Sequence, residues 1–329
     1  MTASVESQSF EPVSRPPRRV LRFFIAAAKV TITVGLLYLA LHSVNAERLK
    51  SRIQDVNLPL FAVATAIAIV QIGLVSLRWH VVLQRLDGAV ALSPGQALSM
   101  TMVGQFVNQF MPFAAGEAVR AVFAVRTGVR PRHAASSVLI DRGLGVLTLL
   151  VVAAPPLFLS GLIDLAPAAS QTLLIIIAVM LGGFLIVMAV SRPLIALASR
   201  FRLTRALAGV LEDVRCVLLH PRTLALTTLV SLLVHLLSVV AIWILAIAVA
   251  LPLSLVNVWA VAPPILLVAM LPFTLGGWGA REGVTVGFLG AAGFPADGAL
   301  LLSISFGAAL LIAAIPGVVS WAKFLQTTR

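Results

Sequence analysis

The sequence predicts an all-α polytopic membrane protein, with about six full spans and two re-entrant helical hairpins arranged as an inverted repeat. Three observations lead there. The 329-residue chain is 60% hydrophobic and 11% charged, with mean hydropathy +1.05, a composition outside the range of water-soluble domains. Several apolar runs reach the ~20 residues that a bilayer crossing needs. Two stretches buried in apolar sequence, 108–120 and 270–282, share one pattern: Pro112-Phe113 or Pro272-Phe273, two residues, a glycine, then an arginine and a glutamate close by. Broken backbone inside hydrocarbon leaves polar groups unpaired unless protein or water covers them, so two such breaks mark a site.

Composition also excludes classes. There are 24 Lys plus Arg against 12 Asp plus Glu, a formal charge of +12. In a membrane protein this excess holds loops on the cytoplasmic side and attracts anionic lipid. No aromatic–basic interleaving in a soluble segment supports nucleic-acid binding. One cysteine, Cys216, permits neither an intrachain disulfide nor a cysteine-based metal cluster. Without a P-loop, a zinc signature or a Gly-x-Ser-x-Gly elbow, no cofactor, metal or catalytic residue is expected, and the chain is not expected to be an enzyme.

In order, residues 1–19 read as a disordered basic cytoplasmic tail, with Arg15, Arg18 and Arg19 among prolines. The run 20–41 is longer than a signal-peptide core, so it reads as a retained span despite the Val44-Asn45-Ala46 sequence that resembles a cleavage site. Lys29 lies near enough to its inner end to snorkel. A polar loop, 42–57, precedes a span at 58–77 that Arg78 ends. Ser93-Pro94 starts the next helix. That helix carries Gln96, Gln105, Asn108 and Gln109, side chains that belong against protein or water rather than lipid. After the first break come a basic stretch (Arg126, Arg130, Arg132, His133) and a span at 134–159 with Asp141 and Arg142 about two turns inside it. A clean span follows at 171–190. Residues 192–222 combine six arginines with apolar residues at helical spacing, as a helix lying on the inner membrane surface does. A span at 224–250, the second broken segment at 256–294 and a last span at 298–324 complete the chain.

Placing basic loops in the cytoplasm sets the orientation. Both termini lie inside, in the cell inner membrane. The segment 94–126 then enters and leaves from the inside, and 256–294 from the outside. Span, hairpin, span recurs with reversed orientation, dividing the chain into membrane repeats at 20–160 and 161–329. Inverted repeats with broken helices meeting near the midplane form a transporter architecture. The competing arrangement is eight ordinary spans with proline kinks.

The breaks supply chemistry suited to a phosphate. Half-helix starts present unpaired N–H groups, and Gly116 and Gly277 allow close backbone approach. Arg120, Arg142 and Arg281 offer paired donors, while Glu117 and Glu282 orient them, receive a cationic headgroup or carry a proton. Glu117 and Arg120 share a helix face. Arg281 and Glu282 are adjacent and do not, so the two halves are expected to differ. Asp141 and Arg142 diverge by roughly 100° around their helix and need partners elsewhere, Glu117 being the candidate for Arg142. The alternative for each Arg–Glu pair is local neutralisation that makes the break tolerable. His235 reads as a histidine bonded to a neighbouring helix rather than a proton relay, and Trp278 as a packing residue.

The run Pro112-x3-Gly116-Glu117-x2-Arg120, then Asp141-Arg142, then Leu271-Pro272 through Gly276-Gly277-x-Gly279-x-Arg281-Glu282, resembles the lysylphosphatidylglycerol synthase transmembrane-domain family. This flippase-like family includes the membrane half of multiple peptide resistance factor. The resemblance covers nearly the whole chain after residue 20. It implies lipid translocation between leaflets, with Glu117, Arg120, Arg142, Arg281 and Glu282 as functional positions. Asp141-Arg142 departs from the Glu-Arg pair expected there, and no soluble aminoacyl-transfer domain follows, so lysyl-lipid synthesis is not expected. The implied partners are membrane lipids: an anionic or aminoacylated phospholipid, or an isoprenoid lipid. A homo-oligomer is compatible with the sequence. Two other classes stay open: a membrane-embedded enzyme acting on a polyprenyl or glycolipid, and a proton-coupled carrier of small polar solutes.

Overall fold

Proline and small polar caps set where the helices begin. In the computed structural model, which describes residues 18–42, 44–87, 92–111, 115–159, 167–201, 204–270 and 274–326, no strand occurs among those residues. The first helices are α1 (Arg18–His42), α2 (Ala46–Gln54) and α3 (Leu58–Leu86). Asn57 caps α3, its side chain accepting from Leu60 N at 3.1 Å. Helix α4 (Pro94–Phe110) starts as Ser93-Pro94 predicts, with a reciprocal Ser93–Gln96 capping box. Then follow α5 (Ala115–Arg126), α6 (Pro131–Leu159), α7 (Pro167–Ala189), α8 (Ser191–Arg200) and α9 (Arg205–Leu218). The last third holds α10 (Pro221–Ala248), α11 (Leu255–Met270), α12 (Ala280–Ala291), α13 (Ala296–Ala314) and α14 (Pro316–Gln326). Proline opens α4, α6, α10 and α14, where its missing N–H costs nothing.

Five segments are long and apolar enough to cross a membrane: Leu58–Leu86, Pro131–Pro156, Ser170–Ala189, Pro221–Ala248 and Ala296–Ala322. A sixth arises if Ala27–His42 is taken with Ala46–Gln54, which turns 91° from it. Helices α4, α5, α11 and α12 have 17, 12, 16 and 12 residues. None reaches the ~20 residues of a full crossing. The two helices of each successive pair pack against one another. In the first pair Asn108 meets Gly116 and Gly104 meets Arg120, the antiparallel register of a hairpin. In the second, Gly277 lies against Ala269.

Helices α3 and α10 pack along each other at the centre in the most extensive helix pair of the fold. Around them the contacts come in matched sets. Helix α4 packs on α3 as α11 packs on α10; α5 on α6 as α12 on α13; α6 on α10 as α13 on α3; and α11 on α6 as α4 on α13 and α14. Each hairpin rests on its own apolar core. Trp79, Met100, Val103 and Phe123 belong to one, and Leu245, Val258, Leu289 and Leu300 to the other.

Several expectations change. The loop 42–57 contains α2, capped by the Asn45 side chain on Glu47 N and Arg48 N, and α2 is tied to the start of α13 by an Arg52–Asp297 ion pair. Arg78 does not end its helix, since α3 continues to Leu86 and Arg78 is buried. Lys29 is 8% exposed. The stretch 192–222 forms two successive helices, α8 and α9, with Leu194, Leu197, Phe201 and Leu207 exposed. Of the tail expected at 1–19, Arg18 and Arg19 open α1; residues 1–17, the loop around Asp164, and the tip residues Pro112 and Pro272 lie outside the described residues.

Candidate functional site

Short polar contacts fix the first hairpin. Gly116 N donates to Asn108 Oδ1 at 2.8 Å, and Asn108 Nδ2 donates to Glu117 Oε2 at 2.9 Å. A Cβ on Gly116 would collide with the Gly104 carbonyl and the Asn108 side chain, so only glycine lets α4 and α5 approach this closely. Glu117 and Arg120, though on one face of α5, do not pair. Glu117 Oε1 accepts from Arg142 Nε at 2.9 Å and lies 2.6 Å from Arg142 Nη2. Arg120 Nη2 instead donates to Asp141 Oδ2 at 3.3 Å. The other Asp141 oxygen accepts from Arg78 Nε at 2.7 Å, and Arg78 Nη1 donates to Ser231 Oγ at 2.9 Å. Asp141 and Arg142 therefore turn to different partners, as their angular separation on α6 requires, and Glu117 is the partner of Arg142. The Arg120 guanidinium stacks 4.4 Å over the Trp79 ring, whose Nε1 donates to Ser137 Oγ at 3.0 Å.

The second hairpin is built differently. Gly276, Gly277 and Gly279 take φ of +56°, +81° and +82°, left-handed backbone that favours glycine. The turn delivers the start of α12, where Glu282 caps Gly279 N through Oε2 at 2.5 Å. The adjacent Arg281 and Glu282, expected to face apart, do pair. Arg281 Nη2 donates to Glu282 Oε1 at 2.6 Å and Nε to the same oxygen at 3.1 Å. Ser303 Oγ accepts from Arg281 Nε and donates to Glu282 Oε1. The capping role bends the carboxylate back over the first turn, which brings it within reach of its neighbour. Arg281 also stacks 4.6 Å over Trp278, so that tryptophan is a cation–π partner of the arginine rather than general packing.

Both hairpins open on one cavity of ≈ 260 Å³. Glu117, Arg120, Asp141, Arg142, Gly277 and Arg281 line it. Gly116 and Glu282 stand behind that lining, one closing the first hairpin and the other holding Arg281. Arg78 joins the lining as a fourth arginine. Apolar sequence runs on both sides of Arg78, which is the signal that marks Arg142 and that its position near a span's end obscured. Gln105, Asn108 and Gln109 from α4 and Thr274 from the second hairpin add polar groups, and Leu266, Phe306 and Leu310 supply an apolar wall. Three arginines have a glycine beside them on a neighbouring helix: Arg120 has Gly104, Arg78 has Gly145 and Arg281 has Gly307. A Cβ at Gly307 would overlap the Arg281 guanidinium and one at Gly104 the aliphatic part of Arg120, while one at Gly145 would press tightly on the Arg78 guanidinium.

The charges fall into three groups by burial. The Arg281–Glu282 side chains are 1% and 0% exposed, and Arg78–Asp141 7% and 2%, whereas Arg142 is 34% exposed. The Arg142–Glu117 pair is therefore the one that water or a ligand reaches first. Four arginines against Glu117, Asp141 and Glu282 leave a local charge of +1 (4 − 3). His235 stands apart from this set: it is buried, with Nε2 2.8 Å from the Gly145 carbonyl, as a histidine bonded to a neighbouring helix. Among the described residues no group of His, Cys, Asp and Glu is arranged to hold a metal ion.

Membrane-length apolar helices packed about a half-open, arginine-lined cavity define a polytopic helical membrane protein with a polar site. The chain belongs to the lysylphosphatidylglycerol synthase TM region family, whose model matches residues 26–317. No curated protein matches it significantly.

Proposed function

We propose that the protein moves a phospholipid or another polar-headed lipid between the leaflets of the cell inner membrane, as a flippase-like transporter and not as an enzyme. The observation that carries this reading is the meeting of both hairpins, with Arg78, Arg120, Arg142 and Arg281, at one cavity among membrane-length apolar helices. Buried arginines at membrane depth are costly and are retained where they serve a path for charge. A guanidinium fork matches the oxygens of a phosphate. The cavity's ≈ 260 Å³ lies just below the ~300 Å³ at which pockets for drug-sized ligands begin. That suits a headgroup whose acyl chains stay outside in lipid.

In this reading the matched contacts around α3 and α10 reflect two inverted repeats, and the hairpins enter the bilayer from opposite faces, with both termini cytoplasmic. A small rotation of one repeat against the other would expose the cavity to one leaflet and then the other. The family membership supports a lipid-related role.

The test is reconstitution into liposomes holding acyl-labelled phospholipids, with bleaching of the outer leaflet by an impermeant reductant. The expected result is a bleached fraction well above the half reached in protein-free vesicles. Bleaching that stops at half for every lipid of a broad panel sinks the proposal.

A further inference from the structure

Hydrogen-bond supply inside the cavity is lopsided, and this bears on which lipid fits. Every oxygen of the three carboxylates already accepts at least one hydrogen bond. Asp141 accepts from Arg78 and Arg120. Glu117 accepts from Arg142 on one oxygen and Asn108 on the other. Glu282 accepts from Arg281 and Ser303 on one oxygen and from Gly279 N on the other. Six buried side-chain atoms lack hydrogen-bond partners among the described residues, and two of them line the cavity: Arg120 Nε and Thr274 Oγ1. Both belong to buried residues, 3% and 5% exposed, and both residues line the cavity, one from each hairpin. Buried polar atoms are seldom left unpaired, so two in the lining of one cavity point to a ligand that accepts hydrogen bonds.

We propose that the site selects lipids whose headgroup carries a phosphate and no cationic group, and disfavours an aminoacylated headgroup. This rests on the lipid-transport reading and narrows it. A phosphodiester brings one negative charge to a cluster of net +1 and accepting oxygens to Arg120 Nε and Thr274 Oγ1. An ammonium brings a second positive charge and three donors to a cavity whose carboxylates are all engaged. Seating it against Asp141 or Glu282 requires pulling a carboxylate away from a buried arginine, which leaves that arginine uncompensated, and seating it against Glu117 competes with the bidentate Arg142. Discrimination here comes as much from what the cavity repels as from what it binds.

The experiment has a binding arm and a transport arm. For binding, the melting temperature of the detergent-solubilised protein is measured with dihexanoyl phosphatidylglycerol, its lysyl ester, dihexanoyl phosphatidylcholine and glycerol phosphate. Phosphatidylglycerol is expected to raise it, with half-maximal concentration roughly tenfold below that of the lysyl ester. Thr274→Val, which removes one unpaired hydroxyl without removing a charge, is expected to weaken that shift several-fold and to leave the ligand-free melting temperature unchanged. An equal or stronger response to the lysyl ester overturns the proposal, as does no response to any phosphate. A response to glycerol phosphate equal to that of the lipid assigns the site to a soluble phosphate instead and overturns the lipid selection. For transport, liposomes containing labelled phosphatidylglycerol or its lysyl ester are compared. Selective binding with no translocation of either lipid sinks the transport reading and leaves the anion site standing. Translocation of both at the same rate does the reverse.

Discussion

Asp141 keeps apart two guanidinium groups that would otherwise repel one another in low dielectric. One oxygen faces Arg78 and the other Arg120, and its side chain is 2% exposed. Removing one member of a buried ion cluster leaves the rest charged and unpaired, at a cost of about 3–5 kcal/mol. Asp141→Asn is therefore expected to lower the melting temperature far more than Glu117→Gln, whose partner Arg142 reaches solvent. Thermal unfolding in detergent reads the difference; equal losses would mean that the two carboxylates are equally buried in function. Lysine is no substitute for Arg281, which combines two hydrogen bonds to Glu282 with stacking on Trp278.

At the scale of elements, the segments that enter and leave the first hairpin are tied by charge. Asp87, just after α3, accepts from Arg130 N at 2.9 Å and Arg130 Nη2 at 3.1 Å, beside His133. Two residues after Arg130, Arg132 reaches Asp213 and Glu212 of α9. The Asp87 carboxyl is held below the usual carboxylate range, chiefly by the side-chain hydrogen bond from Arg130 and against the opposing effect of burial. A depressed folded-state value means that the tie contributes fully above the ordinary value of 3.8 and is lost as pH falls through the lower, folded one. Asp87→Asn should cost stability near neutral pH. The gap from the parent protein should close on acidification below that ordinary value, as read by unfolding across a pH series. A gap that stays constant to the lowest pH would assign the loss to packing instead.

For the whole molecule, the orientation of the hairpins is the decisive quantity. Cys216 is the one cysteine of the chain, so a Cys216→Ser background allows single cysteines to report sidedness. Gly95→Cys and Arg126→Cys flank the first hairpin; Ser254→Cys and Ala291→Cys flank the second. All four positions are exposed. An impermeant thiol reagent on intact cells is expected to spare the first two until permeabilisation and to label the last two directly. Opposite labelling at the two ends of one hairpin would make that segment a crossing element and remove the inverted-repeat reading.

How much of this was legible in sequence depended on the range of the interaction. Membrane partition follows from local composition. Helix starts follow from residues one to three positions apart, so Ser93-Pro94 and the glycines before Arg281 could be read directly. The Glu117–Arg142 pair was legible too, because a charge two turns inside a span must find an opposite one. Arg78 was missed as a site residue, and α2 was hidden in a stretch of polar composition. Asp141's two partners, the turn of Glu282 back onto Gly279, and the unpaired donors Arg120 Nε and Thr274 Oγ1 came only from the tertiary structure. Those depend on how α3, α5 and α6 are rotated about their axes when packed, and on how closely the second hairpin folds. The sequence by itself determined that this chain is a helical membrane protein broken at two charged points. Only the packed helices decided that both points share one cavity, because ion pairs between residues 63 and 21 positions apart are fixed by side-chain geometry that no local pattern encodes.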